Sequence, residues 1–454
     1  MGHAHSKDSA SGAEEWKGPF SDPEYDSIAA KYKSVSQATG TADAHGKLQE
    51  ILALEVSDKA SPEVAAPLHT LGKSFYNYCV YMRDLEAGNV SASRSTAPLK
   101  IADFVKGVAA CMRASSQTIA RSMFHLFGGG NAIDESQLTQ LFFACLCMAD
   151  EFTAASDSDS FAHVARKLAR AALGAGSQLS SDEFVRWMGA QFPLLYSIFT
   201  TWIACKVTGT LARPSYNPPQ ISHKSDILSP AHFVVLSAVA TELQSTVDRL
   251  YTSVKDGLSF NRLCYHVLGY NGPTMVVIRD TAGSVFGFYC DTEWKESSRY
   301  YGGNGCFLFR LEPEINVYRV TSNSSNENYM YLNTKGVALP RGLGMGGNTS
   351  SFRLFLSEDF DENCYTTPKC LSFESGKLSK EKQFFIETME VWGCGGAESQ
   401  RNQSAHRQET ADLINRARKV DKAQFLGNDF DKEFFLSKTF GHGTDRGRIA
   451  DDES

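Results

Sequence analysis

Apolar residues in the first half of the chain recur every three to four positions, which is the spacing of amphipathic helices. The pattern is clear at Ile119, Met123 and Leu126, and it returns after a run of three glycines. Asp134 is a suitable N-cap for the helix that follows the glycines. We therefore predict a helical region over residues 25–205.

Two segments of this region share the layout of an EF-hand: a helix, a glycine-containing loop with a central Ile133 or Leu179, and a second helix. Calcium requires roughly six to eight oxygen ligands. With Leu179 at the eighth loop position, the first three ligand positions hold Ala172, Gly174 and Gly176. Glu183 falls at the closing position, and Gln137 closes the first loop. We predict a degenerate, EF-hand-like domain that binds no metal.

The periodicity changes after residue 205. Three prolines between residues 206 and 228 predict an interdomain linker. Ser229 and Pro230 then suit the start of a helix, and apolar residues at near-helical spacing continue to Leu250. From about 274 to 393, short runs of β-branched and aromatic residues alternate with turns, which indicates an antiparallel β-sandwich. The predicted fold class is α+β.

Residues 397–454 are predicted to form a helical C-terminal extension and tail, because the run from 398 to 426 is charged and favours helix. Its apolar stripe, and an aromatic cluster beyond it, suit a helix that lies in a groove of a partner protein. The same stripe also suits a helix packed back onto its own sandwich, which the residues alone favour over contact with a partner. The candidate partner-binding residues are Leu413, Arg416, Ala417, Val420, Phe425, Phe430 and Phe434.

Residues 1–24 are polar and rich in Ser and Gly, so we predict that they are disordered. The chain begins Met-Gly-x-x-x-Ser, the N-myristoylation pattern, which makes Gly2 a lipidation site. One acyl chain gives only marginal membrane affinity. The first twenty residues carry two lysines and three acidic residues, so they form no basic patch that would strengthen membrane binding. We therefore expect contact with a protein partner to stabilise the membrane-bound state.

The composition argues against some classes of function. The 454 residues carry a formal net charge of −7, which argues against a protein whose main role is to bind nucleic acid. No apolar run approaches the roughly 20 residues of a membrane-spanning helix. The eleven cysteines show no zinc-site spacing, and we expect reduced thiols. Cys306 and Cys394, beside glycines, are the thiols that we expect to be accessible.

The motif Gly342-x-Gly344-x-x-Gly347 satisfies the dinucleotide-binding pattern literally, but a strand-like run follows it where that site needs a helix. We interpret it as a structural glycine turn. Asp256 and Gly257 are predicted to form a turn. Glu390 falls within a strand, where its charge needs a partner.

Seven ordered segments between residues 229 and 396 resemble the TLDc domain family, over 168 of the 454 residues. They include YYGGNGCFLF at 300–309, GLGMGG at 342–347 and MEVWG at 389–393. The others lie at 250–260, 272–280, 285–288 and 329–333. The motif residues singled out are Asp256, Gly257, Gly272, Gly342, Gly344, Gly347 and Glu390. The resemblance is to the N-myristoylated, mTOR-associated lysosomal branch more than to the oxidation-resistance branch.

The resemblance implies a β-sandwich flanked by helices that binds the peripheral V1 sector of the vacuolar-type proton pump (V-ATPase). It also implies a cytoplasmic protein, peripheral on lysosomal membranes, with roles in mTOR signalling or oxidative-stress resistance. It brings no catalytic residue and no cofactor. Family members usually have a glycine where this chain has Phe352 and Arg353, so we expect the local packing to differ. The alternatives are a thiol-based stress enzyme and a signalling scaffold without pump contact.

Overall fold

The computed structural model describes residues 17–54, 65–88, 98–128, 130–152, 158–209, 214–321, 326–361 and 363–427. Gly2, Phe430 and Phe434 lie outside these ranges, as do the side chains of Ala417, Val420 and Phe425. The described chain consists of an N-terminal helical region, two β-sheets and a C-terminal helix, which confirms the predicted α+β class.

Helices dominate the chain up to residue 209. Those described are α1 (Asp22–Ser36), α2 (Thr41–Ile51), α3 (Leu71–Glu86), α4 (Ile101–Met112), α5 (Ser116–Gly128), α6 (Glu135–Asp150), α7 (Ser158–Leu173), α8 (Ser181–Gln191) and α9 (Leu195–Thr208). Regular structure begins before residue 25, the predicted start of the helical region. Ser21 and Glu24 form a capping box at the start of α1, and Phe20 is buried.

The paired EF-hand layout is present. Short strands β1 (Ala132–Asp134) and β2 (Gln178–Ser180) link the loops α5–α6 and α7–α8, with Ile133 opposite Leu179. The side chain of Asp134 accepts a hydrogen bond from the Gln137 amide, which confirms it as the N-cap of α6.

The second half of the chain contains α10 (Pro230–Ser237), α11 (Ser253–Asp256), α12 (Phe260–Val267) and α13 (Gly396–Gly427). Its strands are β3 (Gln220–Ile221), β4 (Thr246–Thr252), β5 (Thr274–Asp280), β6 (Val285–Cys290), β7 (Phe307–Glu312), β8 (Asn316–Arg319), β9 (Met330–Asn333), β10 (Gly342–Asn348), β11 (Ser351–Ser357), β12 (Tyr365–Thr366) and β13 (Ile386–Gly393).

The strands form two sheets. One has seven strands in the order β3-β4-β13-β5-β6-β7-β8, antiparallel except for the β3–β4 pair. The other has four strands in the order β12-β11-β10-β9 and is antiparallel. Ile278 of the first sheet and Leu354 of the second lie in one hydrophobic core, so the sheets pack face to face as a sandwich.

Both faces of the larger sheet are buried, which accounts for its nearly continuous apolar strands. Along β5, Val276 and Ile278 belong to the core between the sheets, whereas Met275 and Val277 belong to the core shared with the helical region. Polar contacts join the same two parts. Arg319 of β8 donates to the Ala190 carbonyl at 2.8 Å. The helical region and the outer face of the larger sheet therefore share one hydrophobic core, separate from the core between the two sheets.

Two predictions for the segment between them are wrong. The segment predicted as a linker, residues 206–228, is not a free linker: helix α9 continues to Thr208, Tyr216 is buried and β3 pairs with β4. The helix predicted from Ser229 to Leu250 ends at Ser237, and its last five residues belong to strand β4. The β-branched residues of β4 favour extended backbone, and pairing with two neighbouring strands outweighs the helical spacing.

Candidate functional site

The seven motif residues fall into three groups: a buried acid, a helix-terminating turn and glycines at close contacts. Glu390 on β13 is completely buried. Its carboxylate accepts hydrogen bonds from Ser225 Oγ at 2.5 Å, the Asp226 amide at 2.7 Å and Trp392 Nε1 at 3.1 Å. Arg249 Nη1 lies 3.7 Å from it. Burial raises the pKa of Glu390, and these donors oppose the rise. The acid anchors the 222–228 segment to the sheet.

Asp256 and Gly257 end the short helix α11. The Asp256 carboxylate accepts a hydrogen bond from the Thr252 amide at 3.0 Å, and its other oxygen lies 3.7 Å from His266 Nε2. Gly257 has φ of 80°, a conformation that favours glycine. Asp256 thus closes a single helical turn and contacts His266.

The glycines of the 342–347 motif lie within strand β10, so the prediction of a turn is wrong. A Cβ on Gly344 would come within 2.4 Å of the Phe352 ring, and one on Gly347 within 2.2 Å of the Ser351 carbonyl. Gly342 is similarly close to the Leu356 carbonyl. Strand β11 follows, as predicted, so these glycines permit close strand pairing and do not cradle a phosphate.

Arg353 lies on β11, where the resemblance predicts a difference in local packing at Phe352 and Arg353, and it is completely buried. Its guanidinium donates to the Thr367 and Gly376 carbonyls and lies 5.3 Å from the centre of the Tyr318 ring. Burial lowers its pKa. Arg353 thus ties the chain after β12 to the smaller sheet.

Helix α13 begins docked on the sandwich. Ser399 Oγ donates to the Asn271 carbonyl at 2.8 Å, and Gln403 Nε2 donates to the His266 carbonyl at 2.6 Å. The Arg407 guanidinium lies 5.5 Å from the Tyr265 ring centre. Gly272 allows this approach, because a Cβ there would come within 2.4 Å of Ser399 Oγ.

Beyond these turns the described side chains face solvent. Leu413 is 63% exposed, and Arg416 is also exposed. The first turns therefore pack back onto the sandwich, as one reading predicts. The other reading, contact with a partner protein, stays a prediction for the residues beyond them. The stripe alone did not reveal the docking residues, which are polar.

A profile of the TLDc domain matches residues 221–395. This segment is a TLDc domain. The match begins at β3, eight residues before the predicted boundary at 229, so the anchored 222–228 segment belongs to the domain.

The chain is 35% identical over 167 residues to MTOR-associated protein MEAK7 of Gallus gallus, covering 37% of this chain and 35% of that protein. It is 37% identical over 147 residues to the Homo sapiens protein of the same name, covering 32% of each. Oxidation resistance protein 1 of Rattus norvegicus is 31% identical over 143 residues, 32% of this chain and 16% of that protein. The predicted likeness to the mTOR-associated branch is confirmed. The chain spans about a third of the length of its MEAK7 relatives.

The two thiols predicted to be accessible are buried in or beside the TLDc domain's sheets: Cys306 is 1% exposed and Cys394 is 3% exposed. Burial also raises the pKa of Cys394. The glycines beside them allow tight packing, not access. Cys264 is less buried, yet burial still raises its pKa to about 12, far from the range of a reactive thiolate.

Outside the TLDc domain, the closing residues of the EF-hand-like loops cap helices instead of facing a metal site. Glu183 accepts hydrogen bonds from the Ser180 amide and hydroxyl at 2.9 and 2.6 Å, and Gln137 accepts one from the Asp134 amide. No group of three or more His, Cys, Asp or Glu residues in the described ranges could hold a metal ion. Within those ranges, no helix is both long and apolar enough to cross a membrane.

Proposed function

We propose that the protein is a non-enzymatic regulator that binds the peripheral V1 sector of the V-ATPase on lysosome-like membranes. The TLDc domain and relatives named as MTOR-associated support a regulatory role linked to mTOR signalling. Relatives named as oxidation resistance protein 1 support a link to oxidative stress. The observation that carries the proposal is helix α13, which is docked by its first turns and presents an exposed Leu413 farther along.

Gly2 is the residue through which the protein would attach to the membrane. A myristoyl chain at Gly2 would bring the protein to the cytoplasmic face of the membrane, where a protein partner stabilises the weak lipid contact. The exposed stretch of α13 then offers apolar and basic side chains, Leu413 and Arg416, to a groove on that partner.

The described thiols give little support to the thiol-enzyme alternative. Burial raises the pKa of Cys145 to about 12 and that of Cys264 to about 12, so both remain protonated near neutral pH. The scaffold alternative, binding mTOR-pathway components without the pump, is supported by the relatives' names alone.

The test is capture of purified V1 by the immobilised full-length protein and by two variants. Leu413→Asp removes an exposed apolar contact and should weaken V1 binding about tenfold, the cost of losing a central apolar anchor. Val337→Asp is the matched control, because Val337 is 97% exposed on the loop between β9 and β10. It should bind like the native protein.

Failure of the native protein to capture V1 would overturn the proposal. Equal weakening by both variants would show that α13 is not the contact. Capture of mTOR-pathway proteins without V1 would favour the scaffold.

A further inference from the structure

His266 lies at the centre of the contact that holds α13 on the TLDc domain. Its carbonyl accepts hydrogen bonds from Gln403 Nε2 at 2.6 Å and Arg407 Nη2 at 3.3 Å. Its ring nitrogen Nδ1 lies 3.5 Å from the same Arg407 Nη2. One residue of α12 thus receives two of the polar side chains by which α13 docks.

The protonation state of this ring matters because Arg407 can only donate hydrogen bonds. When the imidazole is neutral, Nδ1 offers a lone pair to Arg407, and the proton sits on Nε2, which points to Asp256 Oδ1 at 3.7 Å. A second proton on Nδ1 would replace the lone pair with an N–H and bring two cations together. The docked arrangement is therefore matched to neutral His266.

We propose that His266 and Arg407 form a pH-sensitive latch, which holds the first turns of α13 on the TLDc domain while the imidazole is neutral and releases them when it is protonated. The proposal does not depend on the partner proposed above, because the latch lies within this chain.

The groups around His266 come from four elements. Asp256 of α11 favours the imidazolium, whereas Arg262 of α12 and Arg407 of α13 disfavour it. The centroid of the Tyr251 ring of β4 lies 5.9 Å from that of the imidazole, and the centroid of the Tyr265 ring lies 5.4 Å from it. Burial, together with the two arginines, outweighs both Asp256 and a hydrogen bond to the backbone of Leu250, and it lowers the pKa of His266.

The lowered pKa of His266 determines how docking of α13 depends on pH. A histidine whose pKa is lower in the docked state binds its proton more readily when the helix is undocked. Docking is therefore strongest above the free-histidine pKa of about 6.5 and weakens as the pH falls below it.

The backbone at the start of α13 permits such a movement. Gly396 has φ of 67°, and a Cβ there would meet no atom within 4 Å. Gly395 precedes it, so two glycines connect the sheet to the helix. Release of Arg407 would leave Ser399 and Gln403 as the contacts nearest this joint.

Hydrogen exchange of the full-length protein at pH 7.5 and 5.5 tests the latch, with rates corrected for the intrinsic effect of pH. A released helix end loses protection, because most of the stability of a helix in a protein comes from its tertiary packing. We expect protection of residues 399–407 to fall about fivefold at pH 5.5, as linkage to a single histidine allows. His266→Gln, whose amide accepts a hydrogen bond without titrating, should abolish the fall.

His406→Gln is the matched control, because His406 is the other histidine at this contact and packs against Gly269. This variant should keep the fall in protection. Constant protection in the native protein, or an equal fall in His266→Gln, would overturn the proposal.

An NMR titration of the His266 ring gives a second readout if a variant folds poorly. The native pKa should lie below about 6.5, and Arg407→Gln should raise it by removing the adjacent cation. A native pKa at or above the free value would also overturn the latch. Neither the hydrogen-exchange experiment nor the NMR titration includes V1. A failure of the latch can therefore be distinguished from a failure of V1 binding.

Discussion

Glu390 shows how a single buried charge organises a distant segment of chain. Its donors Ser225 and Asp226 are about 165 residues away in sequence, and Trp392 lies on the same strand. The Ser225 hydroxyl also accepts hydrogen bonds from two following amides, so the carboxylate organises a whole turn. A sequence motif residue without catalytic partners can therefore be indispensable to the domain.

Glu390→Ala should lower the free energy of unfolding by about 3 kcal/mol, because it leaves buried donors without an acceptor. Glu390→Gln should cost less, since its carbonyl oxygen still accepts. Urea denaturation of both variants measures the difference. Glu387→Gln, at an exposed position on the same strand, should change stability by less than about 0.5 kcal/mol. Similar losses at both positions would contradict the anchoring role.

At the scale of elements, the EF-hand-like pair keeps its geometry without its ligands. The closing residues Gln137 and Glu183 hydrogen-bond to the residues that cap α6 and α8. A position that binds metal in a functional EF-hand therefore stabilises a helix start here. The short β1–β2 ladder holds the two units together.

Glu183→Ala should lower the midpoint of thermal unfolding through loss of the capping box. The loss should be the same in excess calcium and in excess chelator, because the helix cap does not involve metal. Thermal unfolding in both buffers, with magnesium as a further control, makes the comparison. A loss seen only in calcium would identify Glu183 as a ligand.

At the scale of the whole molecule, the helical region covers one face of the larger sheet. Met275, Phe309 and Trp392 belong to the core that this region completes. The Lys167–Glu312 ion pair adds a polar contact between α7 and β7. The TLDc domain in this chain is therefore one side of a larger packed unit.

A fragment of residues 221–427 should expose that face, bind a hydrophobic dye and self-associate, because large apolar patches are unstable in water. A fragment of residues 17–427 keeps the helical region and should remain monomeric. Light scattering and dye fluorescence compare the two. A monomeric 221–427 fragment with cooperative unfolding would show that the helices are dispensable.

Local pattern predicted much of this fold, and its errors have a common cause. The pattern predicts helices such as α6 because apolar residues repeat along one helical face, and strands such as β5 because the apolar residues form one short continuous run. The local pattern predicts helix where strand β4 forms and a linker over residues 206–228, because long-range strand pairing determines the structure of both segments. The same limit hid His266 and Arg407, which are 141 residues apart in sequence.

The length of α13 gives its docked base a mechanical significance. At 32 residues the helix is about 48 Å long, and its contacts at Arg407 and before involve about the first 18 Å. The remaining 30 Å or so acts as a lever arm, and a tilt of about 10° at the base would move its tip by about 5 Å. Small rearrangements around His266 would thus be amplified into displacements of the size of a side chain at the far end.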